Sequence, residues 1–216
     1  SVAFQMFVSV NQGGTDLNDY DLFRGLVFTK AHILSVSKPL KPKMAELSKK
    51  IRECMGTKEG KDAEKLTNNI MRKWTSTRYG LPVKEKQVAS KLDAEIRELK
   101  TLEELEEIVS QAYAFCAAYS ELHNAPEAVQ FAEQNNGEWQ AGRLQSRRVS
   151  AFVSGGFISL QHSAVLIAMY ARKHLNKSGY SDRDINQVMD YIEWLEFRLA
   201  GDSGSSRRLY TVYAKI

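Results

Sequence analysis

Cysteine is nearly missing from this chain: Cys54 and Cys116 are the two in 216 residues. Two thiols are too few and too far apart in sequence to suggest a disulfide framework, and a reducing cytoplasm is the expected setting. Each is expected to act as a small, partly buried hydrophobe. Histidine is as sparse. His32, His123, His162 and His174 lack ligand spacing, and no Cys-x-x-Cys, His-x-x-x-His or Glu-x-x-His pair occurs. Glu121 and His123 lie two apart at a helix end, where their side chains diverge, so no metal site is expected and His123 is read as a capping or solvent-facing residue.

Long apolar runs are lacking too. The longest candidate, Ala164 to Ala171, falls well short of the roughly 18 residues that mark a membrane-spanning helix, so no membrane partner is expected. Ser1 opens an amphipathic segment without a basic leader, which reads as the start of a piece cut from a larger protein. Catalytic signatures are absent as well. There is no Gly-x-Ser-x-Gly elbow and no Gly-x-x-x-x-Gly-Lys-Ser/Thr loop. Gly13-Gly14-Thr15 precedes a helix, whose N-terminal N–H groups attract anions, but Asp16, Asp19 and Asp21 would repel a phosphate there. Ser154-Gly155-Gly156 is read as a helix break. No catalytic residue and no cofactor are expected in this chain.

What is there fits a folded helical protein. Apolar residues make up 43% and charged residues 26%, an ordinary globular balance, and the length suffices for one core or two small ones. A net charge of +4 and a pI near 8.9 lean basic, enough to tolerate a polyanion without demanding one.

Apolar spacing lays out roughly ten helices in an irregular all-α bundle with short connections. Val2 to Val10 is strand or helix by periodicity alone. From Asp19 to about Val36, Leu22, Phe23, Leu26, Val27, Ile33 and Leu34 share a face. Pro39 and Pro42 then break the chain, and Pro42 suits the first turn of a helix carrying Met44, Leu47, Ile51 and Met55 and stopping at Gly56. An exposed loop over Thr57 to Lys61 leads to the stripe Leu66, Ile70, Met71 and Trp74. Val88, Leu92, Ile96 and Leu99 form the next.

Thr101 and Glu104 have capping-box spacing, in which each side chain satisfies a backbone donor near the other. Behind them Leu102, Leu105, Val109, Ala112, Cys116 and Tyr119 alternate threes and fours over about three heptads, which suits bundle packing. Further helices are expected from Glu127 to about Asn135, over Trp139 to Val153, and over Phe157 to Asn176, whose Ala164 to Ala171 core is apolar all round and must be surrounded. Ser181 can cap a helix with Ile185, Val188, Met189, Ile192, Leu195 and Leu199 on one face. Another begins within Arg207 to Ile216, after a Gly/Ser loop.

The organising stretch is Phe4 to Phe28. Its Gly13-Gly14 pair permits a sharp reversal between two apolar elements, and Asp16 or Asn18 can accept from the free N–H groups of the helix that follows. The pattern Phe7, Asn11, Gly13, Gly14, Leu17, Asp21 and Leu22 resembles the junction in the GmrSD-type family of bacterial restriction proteins. Weaker likeness continues through Trp74 to Gly80 and Ile192 to Arg198. The resemblance implies that Val2 to Val10 is helical, and that residues 1–36 form a glycine-cornered hairpin joining a missing N-terminal ParB-like domain to a helical bundle over 37–216. The family's D-G-Q-Q-R motif and its histidine-containing nuclease domain are absent from this sequence. The chain is therefore expected to be a non-catalytic part, partnered by those domains, of a nucleotide-dependent endonuclease that acts on foreign DNA.

Basic clusters supply the candidate DNA contacts. Arg143, Arg147 and Arg148 lie on one short segment and form the first candidate site, and Arg72, Lys73 and Arg78 flank Trp74 and Tyr79. The plainer reading makes Trp74 a core residue and lets Arg172 and Lys173 complement a helix dipole. Two other functions compete: a stand-alone helical protein that coats or packages nucleic acid, and an adaptor with an exposed apolar groove.

Overall fold

The computed structural model describes residues 17–80, 82–84, 87–123, 160–175 and 180–200, apart from the side chains at 160–162, 173, 182, 193 and 195–200. Every regular element among them is a helix, in keeping with an all-α fold: α1 (Asp19–Ile33), α2 (Ser37–Met55), α3 (Gly60–Tyr79), α4 (Val88–Glu98), α5 (Leu102–His123), α6 (Leu160–His174) and α7 (Asp182–Ala200). These are seven among the described residues, not roughly ten. The helices expected over 2–10, 127–135, 139–153 and 207–216 lie outside them.

The chain divides into two compact units, with divisions after Thr75, Pro82 and Cys116. The first holds α1, α2, most of α3, α4 and the first two-thirds of α5. Thus α1 and α2, on either side of position 36, belong to the same unit. Within it α1 packs chiefly on α4 and also on α2. Phe23, Leu26 and Val27 of α1 are buried with Val88, Leu92 and Ile96 of α4 and Leu40, Met44, Leu47 and Ile51 of α2. Burying each such side chain is worth roughly 1.5–3 kcal/mol. Trp74 of α3 joins this core, its ring edge-on to Phe23 at 5.3 Å and 72°.

Two helix ends differ from their sequence patterns for local reasons. The first helix, expected to reach about Val36, stops at Ile33. Val36 N–H donates to Ala31 O at 2.8 Å and Ser35 N–H to His32 O at 3.0 Å, the double closure of a Schellman turn, with Ser35 at φ 59°. Glycine normally occupies that position, so the stop was hidden by a serine. Ile33 consequently faces out, 63% exposed, rather than inward. Ser35→Gly is expected to raise stability by about 0.5–1 kcal/mol by relieving the left-handed strain. A shift of the urea midpoint at unchanged slope checks this, and a lower midpoint would refute it.

The prolines do not break the second helix. It begins at Ser37, with Pro39 in its first turn, where a missing N–H costs nothing, and Pro42 one turn later. Pro42 and Lys38 are both exposed, so the carbonyl deprived of its partner lies on the solvent side. The extra turn brings Leu40 into the core at 0% exposure. Gly56 ends the helix as expected, its N–H shared between Arg52 O and Glu53 O, each at 3.2 Å.

The capping box before α5 forms as its spacing predicts: Glu104 N–H donates to Thr101 Oγ1 at 3.2 Å and Thr101 N–H to Glu104 Oε2 at 3.1 Å. The Lys100 N–H, which also donates to Glu104 Oε2, and the Thr101 N–H together hold the Glu104 carboxyl below its ordinary range. Behind the box all six residues from Ala114 to Tyr119 are buried. That breadth suits bundle packing, not the narrow stripe of a coiled coil.

In the second unit α6 packs against α7. Ser163, Ala164, Leu166, Ile167, Met169, Tyr170 and Ala171 are buried, while Val165 and Ala168 are half-buried. A segment apolar on all sides is thus enclosed almost completely. Ile185, Met189 and Ile192 are the buried stripe of α7, and Ser181 caps that helix by accepting from Asp184 N–H at 3.2 Å.

Candidate nucleic-acid interface

The described part of the corner is a braced helix start. Asn18 Oδ1 accepts from Asp21 N–H at 3.0 Å, and Asn18 Nδ2 donates to Asp21 Oδ2 at 2.7 Å. Of the two expected caps, Asn18 is the one placed on α1; Asp16 lies outside the described residues. Asp19 N–H, another donor without a helical acceptor, reaches Asn68 Oδ1 of α3 at 2.7 Å. Burial pushes the Asp21 carboxyl above its ordinary range, against the charge of Arg24 and the Asn18 hydrogen bond. Leu17 and Leu22 are half-buried. Asn11, Gly13 and Gly14 lie outside the described residues, so the reversal itself is not described.

The α3 cluster is less basic at its surface than its sequence suggests. Lys73 is 7% exposed, and burial, helped by the neighbouring Arg72 charge, lowers its ammonium to about 8. A lysine held inside cannot neutralise a phosphate in the solvent, so Lys73 drops out as a contact. Arg72 is half-buried and donates through Nη2 to Asn69 Oδ1 at 3.3 Å. Arg78 and Tyr79, in the second unit, are half-buried. Trp74 is 4% exposed, the core residue of the plainer reading. Arg143, Arg147 and Arg148 lie outside the described residues.

The second unit adds groups that motif spacing did not reveal. Arg172 is exposed, with its guanidinium 5.1 Å from the Tyr180 ring centroid and Nη1 donating to Tyr180 OH at 3.1 Å. On α7, Tyr191 and Trp194 stack at 6.0 Å and 22° while remaining 45% and 51% exposed. The sequence did carry a signal for this pair. With Ile185, Met189 and Ile192 as the inward stripe, Trp194 projects from the opposite side at 100° per residue, where a large ring is out of place unless something uses it.

His123 stacks on Tyr119 at 3.7 Å and 14°, with Nδ1 2.9 Å from Tyr119 O in the last turn of α5. This is the expected capping position. Its neighbour Glu121 turns the other way and meets His174 Nε2 at 3.2 Å, so the pair diverges. No group of three or more His, Cys, Asp or Glu side chains that could hold a metal occurs among the described residues. Nor is any helix among them long and apolar enough to cross a membrane.

No protein-family model, curated protein or solved structure matches the chain.

Proposed function

We propose that this chain is a non-catalytic helical domain of a cytoplasmic bacterial restriction protein of the GmrSD type, positioning catalytic domains that act on foreign DNA. The braced start of α1 supports the reading. Leu17, Asp21 and Leu22 belong to the corner pattern that resembles that family, and around them Asn18 caps the helix while Asn68 of α3 holds the Asp19 N–H. A corner tied to a second helix at its first residue can transmit the orientation of whatever precedes it. Its partners would be a ParB-like domain upstream, a nuclease domain downstream, and DNA.

The decisive observation is the reading frame. Continuation upstream of Ser1 into a D-G-Q-Q-R motif is the expected result, and an initiating methionine directly before Ser1 would count heavily against the proposal. DNA contact is tested by changing Arg143, Arg147 and Arg148 together to Ala. The slope of log K against log salt should fall by up to about 3, at roughly 0.9 for each phosphate that is no longer neutralised. An unchanged slope removes the trio.

One feature favours a nucleic-acid-coating protein instead: the exposed Tyr191–Trp194 stack, a platform on which bases could lie. That reading requires multimers whose size follows the length of a single strand. A strict monomer in the presence of single-stranded RNA discards it.

A further inference from the structure

Cys54 and Cys116, remote in sequence, meet in the first unit. Both thiols are free. Cys54, in the last turn of α2, is half-buried, whereas Cys116, well inside α5, is 1% exposed. The Cys54 thiol donates to Cys116 O at 3.2 Å, which sets the two side chains beside one another. The same two helices also meet through the Lys43–Glu106 ion pair at 2.8 Å and Lys50 over the Tyr113 ring, so two neighbouring thiols, one of them partly open to solvent, lie where side chains of the two helices touch.

From this geometry we infer that Cys54 and Cys116 form a reversible disulfide joining α2 to α5, made by exchange with a low-molecular-weight disulfide such as oxidised glutathione. The two thiols have different parts in it. Cys54 is the accessible one and attacks first. Lys50 sits one turn earlier on α2. Its ammonium pairs with Glu53 and lies 6.0 Å from the Tyr113 ring centroid. The adjoining Cys54 thiol and, after it, burial push the Cys116 thiol well above its ordinary value, so Cys116 keeps its proton until a mixed disulfide stands beside it.

The chemistry closes without another reagent. Cys54 thiolate attacks one sulfur of glutathione disulfide, breaking its S–S bond and expelling one glutathione thiolate, which takes up the Cys54 proton. Cys116 then gives up its proton and attacks Cys54 Sγ, expelling the second glutathione, which carries that proton away. Two protein thiols are oxidised by two electrons and one small disulfide is reduced to two thiols.

The test incubates the full chain with glutathione disulfide near pH 8 and follows free thiols and intact mass. Wild type should lose both maleimide-reactive thiols, with a mass about 2 Da below the reduced form and no lasting adduct. Its Tm should rise by roughly 5–10 °C, because a long loop is closed. Cys116→Ser should stop at a single glutathione adduct on Cys54, and Cys54→Ser should stay unmodified. Two free thiols after prolonged exposure, a permanent adduct on wild-type Cys54, or a dimer linked through Cys54 would each overturn the inference.

Discussion

Phe23→Ala is expected to lower the stability of the protein by about 3–5 kcal/mol, moving the thermal midpoint down by roughly 10 °C or more. Phe23 is 0% exposed on a helix that packs against two others, α4 and α2. Truncation leaves a hole that side chains held from several directions cannot close. It also removes the edge-on packing against Trp74 at 5.3 Å, worth about 0.5–1.5 kcal/mol beyond the buried area. Against a total stability of about 5–15 kcal/mol, this is a substantial fraction. Urea unfolding followed by circular dichroism measures it. Trp194→Ala is the control: a larger side chain is deleted, but from a position 51% exposed, and the change should be below about 0.5 kcal/mol. Equal losses from the two substitutions would mean that the described core is wrong.

The contrast between Trp74 and Trp194 shows how far the sequence could be read. Trp74 extends a stripe begun by Ile70 and Met71, and helical periodicity placed it inside correctly. Trp194 follows Ile192 closely enough to look like part of the same apolar segment, and only its angle around the helix separates it from the core. Capping was legible because it depends on neighbours: Asn18 with Asp21, Thr101 with Glu104 and Ser181 with Asp184 all lie within one turn.

Features that depend on context were not legible. Ser35 takes the conformation of a glycine, so α1 ends early and Ile33 turns outward. Leu40 draws an extra turn onto α2 despite Pro42, because its burial outweighs one missing hydrogen bond at the surface. Cys54 and Cys116 come together through tertiary packing, for which linear spacing carries no signal. Lys73 was misplaced for a related reason. A lysine beside an arginine reads as a surface pair, yet in α3 Lys73 lies in a buried run with Trp74 and Thr75.

That burial makes Lys73→Met the second large effect, opposite in sign to the first. Bringing the ammonium from an ordinary 10.5 to about 8 means that the charged form is disfavoured in the folded protein by about 3 kcal/mol at neutral pH. Methionine keeps an unbranched stem of similar length without the charge, so the variant should be more stable than wild type by up to that amount. The pH dependence identifies the cause. Between pH 8 and 10.5 the unfolded chain holds the Lys73 proton while the folded chain has released it, so the Lys73 contribution to stability rises with pH across this window.

Cys116 and Tyr20 act the other way: the Cys54 thiol and burial raise the first, and burial raises the second. Each keeps its proton in the folded state after the unfolded chain has released it, so their contributions decline from about pH 8.5 and pH 10 upward. A single stability curve would blend these opposing slopes. The difference between Lys73→Met and wild type cancels them and should shrink from about 3 kcal/mol below pH 8 toward zero near pH 10.5. A gap independent of pH would show that the gain comes from packing instead, and a DNA affinity reduced in the same variant would return Lys73 to the binding surface.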